Sequence, residues 1–241
     1  RPWMDRWGST AEDSALILAG DELVPDAEQQ THAITIEAPP AAVWPWLLQM
    51  GQGRAGFYSH DRLERLVGAD IHNAAEIHPE WQHLAVGDLV RTYRPIPRFE
   101  PLGWLVGMIN PPRLLVVHEP ERGGMINSSW AFVLERDGQR TRLLSRWRFR
   151  RRGAAHTAFK WLIFDPAHFI METGVLHGLK TRVGRQAALK PPGSLSELAP
   201  AARTAPDDLG RCAYVGSSAA SSTRSSKPPA TLKPVGGLRH L

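Results

Sequence analysis

The chain has 241 residues, 42% of them apolar and nine of them Trp, enough for one large core or two small ones. Its net charge is +5, but residues 190–241 hold seven basic against three acidic residues, so the rest of the chain is nearly neutral. A near-neutral body excludes nucleic-acid binding driven by charge, and a single cysteine, Cys212, excludes both an intrachain disulfide and a thiolate zinc cluster.

No run supplies the roughly 20 apolar residues that span a bilayer. The nearest, Leu102 to Val117, is broken by Asn110-Pro111-Pro112-Arg113. The first residues contain no signal-peptide core. The chain opens on Arg1, which leaves open what precedes it. These features read as a cytoplasmic protein without a transmembrane segment in residues 1–241, open to peripheral membrane contact.

Residues 1–30 are polar and broken at Gly20-Asp21 and Pro25-Asp26, which suits an extension packing on the domain that follows. Trp3 and Trp7, four apart on a short helical turn, are expected to dock as one apolar patch. "HAITIEA" (residues 32–38) alternates and predicts a half-buried strand. Pro40 suits the first position of a helix running to Met50, with Pro45 expected to kink or restart it. "SHDRLERLVG" (residues 59–68) predicts a second helix, with Ser59 as N-cap and Gly68 as terminator.

From Gly87 to Arg150 the character changes. "DLVRTYR", "GWLVGMI", "RLLVVHE", "SSWAFVLER" and "RTRLLSRWRF" are β-rich runs separated by turn signals, the strongest being Asp137-Gly138. About five antiparallel strands follow one another with no helix between them. Asp165-Pro166 then marks the start of a long helix reaching about Leu189. Beyond it, residues 190–241 are rich in Pro, Ser, Ala and Gly and are expected to be a disordered basic tail.

The stretch Gly51-x-Gly53-x-x-Gly56, with Asp70 downstream, has the spacing of a dinucleotide fingerprint. That fingerprint needs a strand entering the glycines and parallel strands beyond them. Here a helix enters and antiparallel strands follow, so the glycines read as turn chemistry and no cofactor is implied. The predicted fold is α+β: a curved antiparallel sheet wrapped around a long C-terminal helix, with two short helices after the first strand.

The stretch "AITIEAPPAAVWPWLLQMGQGRAGFYSHDRLERLVGADIHNAAEIHPEWQHLAVGDLV", preceded by "GDELVPD", resembles the SRPBCC superfamily of START-like or Bet v 1-like helix-grip proteins, in particular bacterial polyketide cyclase-like proteins. The resemblance covers about residues 3–189. His60 and Arg62 depart from it, standing where aromatic residues are common. It implies an SRPBCC domain over 31–189 with an internal cavity for a small hydrophobic or aromatic ligand, lipid or polyketide-like. Two activities are compatible with such a cavity: sequestration, or cyclase/aromatase-type catalysis. A basic tail engaging acidic partners or membrane surfaces is a third reading, and oligomeric state is not encoded legibly.

Strand parity places Trp130, Phe132 and Leu134 on one face, and Thr141, Leu143, Ser145, Trp147 and Phe149 on another. These faces should look at the long helix, while Arg142, Arg146 and Arg148 should form a solvated row. On the helix, Ala167, Met171, Gly174 and Gly178 share a narrow stripe of mostly small residues. Such a stripe gives either close packing or room for a ligand, and glycine inside a helix costs about 1 kcal/mol against alanine. The expected ligand contacts are therefore Trp130, Phe132 and Trp147 from the sheet, and Met171, Gly174 and Gly178 from the helix. Trp44, Gln49, Phe57, Tyr58 and Trp81 complete the set from the segment carrying the resemblance.

His72, His78 and His83 lie close to Glu76 and Glu80, but the spacing is not His-Glu-x-x-His and Pro79 breaks any shared helical face, so no metal site is predicted. No nucleophile with a matching base is evident. If a reaction is catalysed, Tyr58, His118 or Gln49 would be the group moving a proton at the cavity mouth.

Overall fold

The computed structural model describes residues 2–59, 72–92, 103–150, 162 and 165–189. Two short helices, α1 (Pro2–Asp5) and α2 (Ala11–Ala15), lead into strand β1 (Glu28–Ile36) and helix α3 (Pro40–Leu48). Strands β2 (Leu89–Arg91), β3 (Gly103–Asn110), β4 (Leu114–His118), β5 (Ser128–Asp137) and β6 (Arg140–Phe149) follow, and helix α4 (Asp165–Leu189) comes after them. The strands form one antiparallel sheet in the order β1-β6-β5-β4-β3-β2. This is the helix-grip arrangement. The expected helix from Ser59 to Gly68 and the tail from Lys190 lie outside the described residues, apart from Ser59 itself.

Local chemistry explains the element ends. Asp137 pairs with Arg140 across the β5–β6 hairpin, and Gly138 takes φ +60° in the turn. Helix α3 begins at Pro40 as expected, yet it runs through Pro45 without a restart. The proline removes one backbone hydrogen bond, but Val43, Trp44, Trp46, Leu47 and Leu48 are all buried around it, and packing holds the turn. After α3, Gly51 and Gly56 exchange backbone hydrogen bonds of 2.9 and 3.1 Å, and Gln52 N–H reaches Arg91 O at 2.8 Å. Gly51, Gly53 and Gly56 all have positive φ, so the fingerprint-like spacing serves a tight turn bonded to β2.

The inner face of the sheet follows the predicted parity: Trp130, Phe132, Leu134, Thr141, Leu143, Ser145, Trp147 and Phe149 are all buried. The helix stripe that is buried with them is Glu172, Val175, Leu176, Leu179 and Val183. The stripe of small residues points elsewhere. Ala167 is exposed, and a Cβ on Gly178 would overlap the carbonyl oxygen of Tyr58 and lie 2.7 Å from its Cβ. Gly178 is thus a close-packing glycine.

The arginine row corrects the sequence reading. Arg146 is 1% exposed, and the side chains of Arg142 and Arg148 are only 23% and 14% exposed, so these three arginines are not a solvated row. Residues 8–24 lie against that face and take the guanidinium groups in turn. Arg142 donates to Gly8 O and to Asp13 at 2.6 Å each. Arg146 donates to Asp21 (2.9 Å), Leu16 O (2.6 Å), Asp13 O (2.9 Å), Ser14 O (3.2 Å) and Thr31 Oγ1 (3.0 Å). Arg148 reaches Val24 O at 3.2 Å and Gln29 at 2.8 Å. Leu18 packs with Ala33 and Leu144 in a small second core on this side. The same segment caps the sheet edge, since Ala33 N–H in β1 donates to Trp7 O at 3.0 Å. Trp3 and Trp7 do not form one patch: Trp3 meets Phe169 at 5.2 Å and Trp7 meets His177 at 5.2 Å, about two turns apart on α4.

Candidate functional site

Between α3, the turn at Phe57 and the inner face of β2–β5 lies an apolar hollow. It is lined by Leu47, Met50, Phe57, Val90, Trp104, Leu115, Val117, Trp130 and Phe132. The walls leave about 10 Å³ for the centre of a water-sized sphere, the room of about one water molecule. Large rings crowd this place among the described residues: Trp104 and Trp130 stand 6.1 Å apart, and Trp130 and Phe132 4.6 Å apart. Phe57, Val90 and Trp104 are each within three residues of a segment outside the described residues.

Of the residues expected to contact a ligand, the structure brings Phe57, Trp130 and Phe132 together at this hollow. Trp44 is buried in the surrounding core, and Trp81 packs against that core from a short 3₁₀ turn, 4.3 Å from the His78 ring. Trp147 lies further along the inner face, stacked on His168 at 4.2 Å with its Nε1 donating to Ser128 Oγ at 2.7 Å. Met171 and Gly174 are half-buried, and Met171 Sδ lies 3.9 Å from Ser59 Oγ. Gly178 meets the Tyr58 backbone.

The three expected proton shuttles are engaged away from the hollow. Gln49 is fully buried and pins the 76–82 segment: its Nε2 donates to Glu76 O at 3.0 Å, and its Oε1 accepts from His78 N–H at 3.0 Å. Tyr58 donates to Trp46 O at 2.8 Å, under the Arg182 guanidinium at 4.7 Å. Burial pushes its phenol well above the ordinary value of 10. Its φ of +62° is a left-handed conformation uncommon for an aromatic residue, and it carries the Tyr58 carbonyl against Gly178. His118 is on the outer face, with Nδ1 2.8 Å from Glu119 O and Cδ2 2.7 Å from where a Cβ on Gly107 would stand. The β3–β4 register shifts at that glycine.

A polar chain that sequence reasoning did not find runs behind the hollow. Trp130 Nε1 donates to Ser145 Oγ at 2.8 Å, and Ser145 donates to Glu172 Oε1 at 2.5 Å. The other carboxylate oxygen lies 2.9 Å from His32 Nδ1, an ion pair rather than an aligned hydrogen bond, with both side chains 1% exposed. His168 Nδ1 stands 3.5 Å from the same oxygen. His32 Nε2 faces Met4 O at 2.7 Å. Both ring nitrogens of His32 therefore face acceptor oxygens, a setting that favours the doubly protonated ring.

The pKa directions agree with this geometry. Burial opposes the charge on both groups. The Glu172 carboxylate outweighs it at His32, holding that imidazole above its ordinary value, and the His32 cation outweighs it at Glu172, holding that carboxyl below its own. One signal in the sequence points to the pair. Glu172 falls at a position three and four residues before Val175 and Leu176, inside the apolar stripe of α4, where a carboxylate needs a buried partner.

No family model matches the sequence, and no curated protein matches it. Among solved structures, the chain is similar to a polyketide cyclase-like protein of Corynebacterium glutamicum. The identity is 19%, covering 67% of this chain and 90% of that one, at a TM-score of 0.31. It is also similar to the Zhui aromatase/cyclase of a Streptomyces species, at 16% identity, 67% and 96% coverage and a TM-score of 0.40. A third is a norcoclaurine synthase mutant of Thalictrum in complex with a transition-state analogue, at 12% identity, 67% and 96% coverage and a TM-score of 0.40. Among the described residues, no helix is long and apolar enough to cross a membrane.

Proposed function

We propose that this protein binds a small apolar or aromatic molecule at the hollow between α3 and the inner face of β2–β5. The observation that carries the reading is the lining: nine side chains, all apolar or aromatic, converge there from four strands, one helix and a glycine-rich turn. The volume limits the guest. With room for about one water, entry of a guest requires the walls to move, and Met50 is the lining side chain with the most rotatable bonds. A planar ring sliding between Trp104 and Trp130 is the fitting class, since offset and edge-on contacts between aromatic rings stabilise by about 1 kcal/mol beyond burial. Gln49, Tyr58 and His118 are engaged elsewhere, so binding rather than proton transfer is the activity supported.

The test is a titration of the full chain with 1-anilinonaphthalene-8-sulfonate and with indole, beside Leu115→Ala, which removes a wall residue that is 1% exposed. Enlarging an apolar hollow of this kind creates room for a benzene-sized guest. Saturable binding of either probe, tightened in the variant, is the expected result. If neither probe saturates with the native or the enlarged protein, the binding reading is wrong.

A further inference from the structure

We infer that the N-terminal segment regulates the hollow through a polar chain, Met4 O–His32–Glu172–Ser145–Trp130, linked by hydrogen bonds and, between His32 and Glu172, by an ion pair, in which Glu172 and Ser145 are positioning residues for the Trp130 indole. The functional part of this inference rests on the binding reading above; the coupling itself does not.

The chain has a direction. Trp130 N–H donates to a hydroxyl, the hydroxyl donates to a carboxylate, and the carboxylate is balanced by an imidazolium whose far nitrogen holds Met4 O. Each link is fixed by the next. Ser145 Oγ has one proton, and while that proton goes to Glu172 the oxygen is free to accept from Trp130. The 2.5 Å contact is the length of a hydroxyl–carboxylate bond, and such charge-assisted bonds are about twice as strong as neutral ones. The four side chains from His32 to Trp130 are buried and Met4 is half-buried, so within the domain water cannot replace a lost partner, and a change at the His32 end must be met by movement along the chain.

The two ends lie in different parts of the molecule. Trp130 is a wall of the hollow, 6.1 Å from Trp104 and 4.6 Å from Phe132. Met4 belongs to α1, in the segment that caps the edge of β1 and covers the outer face. A neutral His32 keeps one N–H. Held by the carboxylate, it would present a lone pair to the lone pairs of Met4 O and release α1. Alternatively, if α1 is withdrawn, His32 loses an acceptor for its second proton and Glu172 loses its cation. Glu172 then draws on Ser145 and on the more distant His168, and the indole shifts. The groups facing His32 are Glu172 and His168 from α4, Asp5 from α1, Ser145 from the paired strand β6, and the rings of Trp7 and Phe169.

The experiment uses the full chain with ¹⁵N-labelled tryptophan, the Trp130 indole resonance being assigned by its loss in Trp130→Phe. In the native protein that resonance is expected to shift as pH rises above the ordinary histidine value of about 6.5. The shift should vanish in His32→Gln, and Ser145→Ala should move the resonance at every pH. Probe affinity, measured on the same samples, should change about tenfold across the titration, the worth of one buried hydrogen bond. An indole resonance that ignores both pH and His32→Gln overturns the coupling, and the titration of the native protein decides this even if a variant fails to fold. An indole that titrates while a bound probe keeps one affinity overturns the regulation. Absence of any probe binding, with the indole still titrating, leaves the coupling standing and removes the binding reading instead.

Discussion

The two faces of the sheet are built from alternate residues of the same strands, and they solve burial in opposite ways. On the inner face, β5 and β6 present Trp130, Phe132, Leu134, Leu143, Trp147 and Phe149 to α3 and α4, and burial of apolar area does the work. On the outer face, the intervening residues of β6 are Arg142, Arg146 and Arg148, and the cover is a polar segment whose carbonyls and carboxylates receive them. The inner solution tolerates adjustment, because dispersion contacts have no direction. The outer one is specific, because each guanidinium fork fits one set of acceptors. The spare volume differs in the same way: the inner hollow is walled by apolar side chains, whereas the room beside the outer cover, between residues 2–14 and Gln29 and Thr31, is lined mostly by polar ones.

The largest effect is expected from breaking the outer face at its centre. Arg146→Met keeps an unbranched chain of similar length but strands Asp21 and three carbonyls of residues 13–16. Removing one partner of a buried ion pair costs about 3–5 kcal/mol. The lower end, about 3 kcal/mol, is expected here because Arg148 remains 3.6 Å from Asp21. The urea midpoint measures it, and a loss under about 1 kcal/mol would mean that the row is a surface feature after all.

Next in size is a test of the inner packing. Gly178→Ala in a helix interior would ordinarily stabilise by about 1 kcal/mol. With the Tyr58 backbone where the new methyl must go, the sign reverses, and a loss of about 2 kcal/mol is expected from overpacking. Gly184→Ala, six residues along the same helix with nothing within 4 Å of its Cβ position, is the control that should gain stability. Equal responses at the two glycines would show that α4 is not pressed against Tyr58.

The inner face was legible in the sequence and the outer face was not, for a physical reason. Period-two alternation shows which residues share a face, and a row of aromatic and aliphatic residues has one use in water. Hence the strands, the Asp137-Gly138 hairpin, α3 from Pro40 and α4 to Leu189 could all be read in advance. A row of arginines has two uses. What covers Arg146 is Asp21 with the carbonyls of Asp13, Ser14 and Leu16, and carbonyls leave no trace in a sequence. The cover's own helix did leave one: Thr10-x-x-Asp13 is a capping box, a start signal for α2 within a stretch that otherwise reads as turns. At the hollow, the inward direction of Trp130 and Phe132 could be read from parity. His32 and Glu172, by contrast, sit on elements far apart in the chain, and only the carboxylate inside the apolar stripe of α4 hints at the pair.

That pair sharpens the comparison, because it is a polar device inside the apolar face. His32 is held above its ordinary 6.5, so its contribution to stability is complete below that value and fades as pH rises through the raised pKa. Glu172 is held below its ordinary 4.5, so its contribution is complete above that value and fades as pH falls through the lowered pKa. The pair is therefore fully effective between about 4.5 and 6.5. Urea midpoints across pH should fall on both sides of that window. In His32→Gln the alkaline fall should disappear, and its persistence would assign the titration to another group.

The smallest effect belongs to the cover alone. Thr10→Ala removes the hydroxyl that accepts from Asp13 N–H at 3.0 Å, while Asp13 still receives Thr10 N–H at 2.9 Å and Arg142 at 2.6 Å. Loss of an N-cap costs about 1 kcal/mol in general. Half of this box survives, and the arginine holds Asp13 in place, so the global cost should be at most that. What should change is local: amide exchange across α2 speeds up while the strands of the inner face keep their protection. If instead the inner strands lose protection together with α2, the two faces unfold as one unit, and the outer segment is as much a part of the core as α4 is.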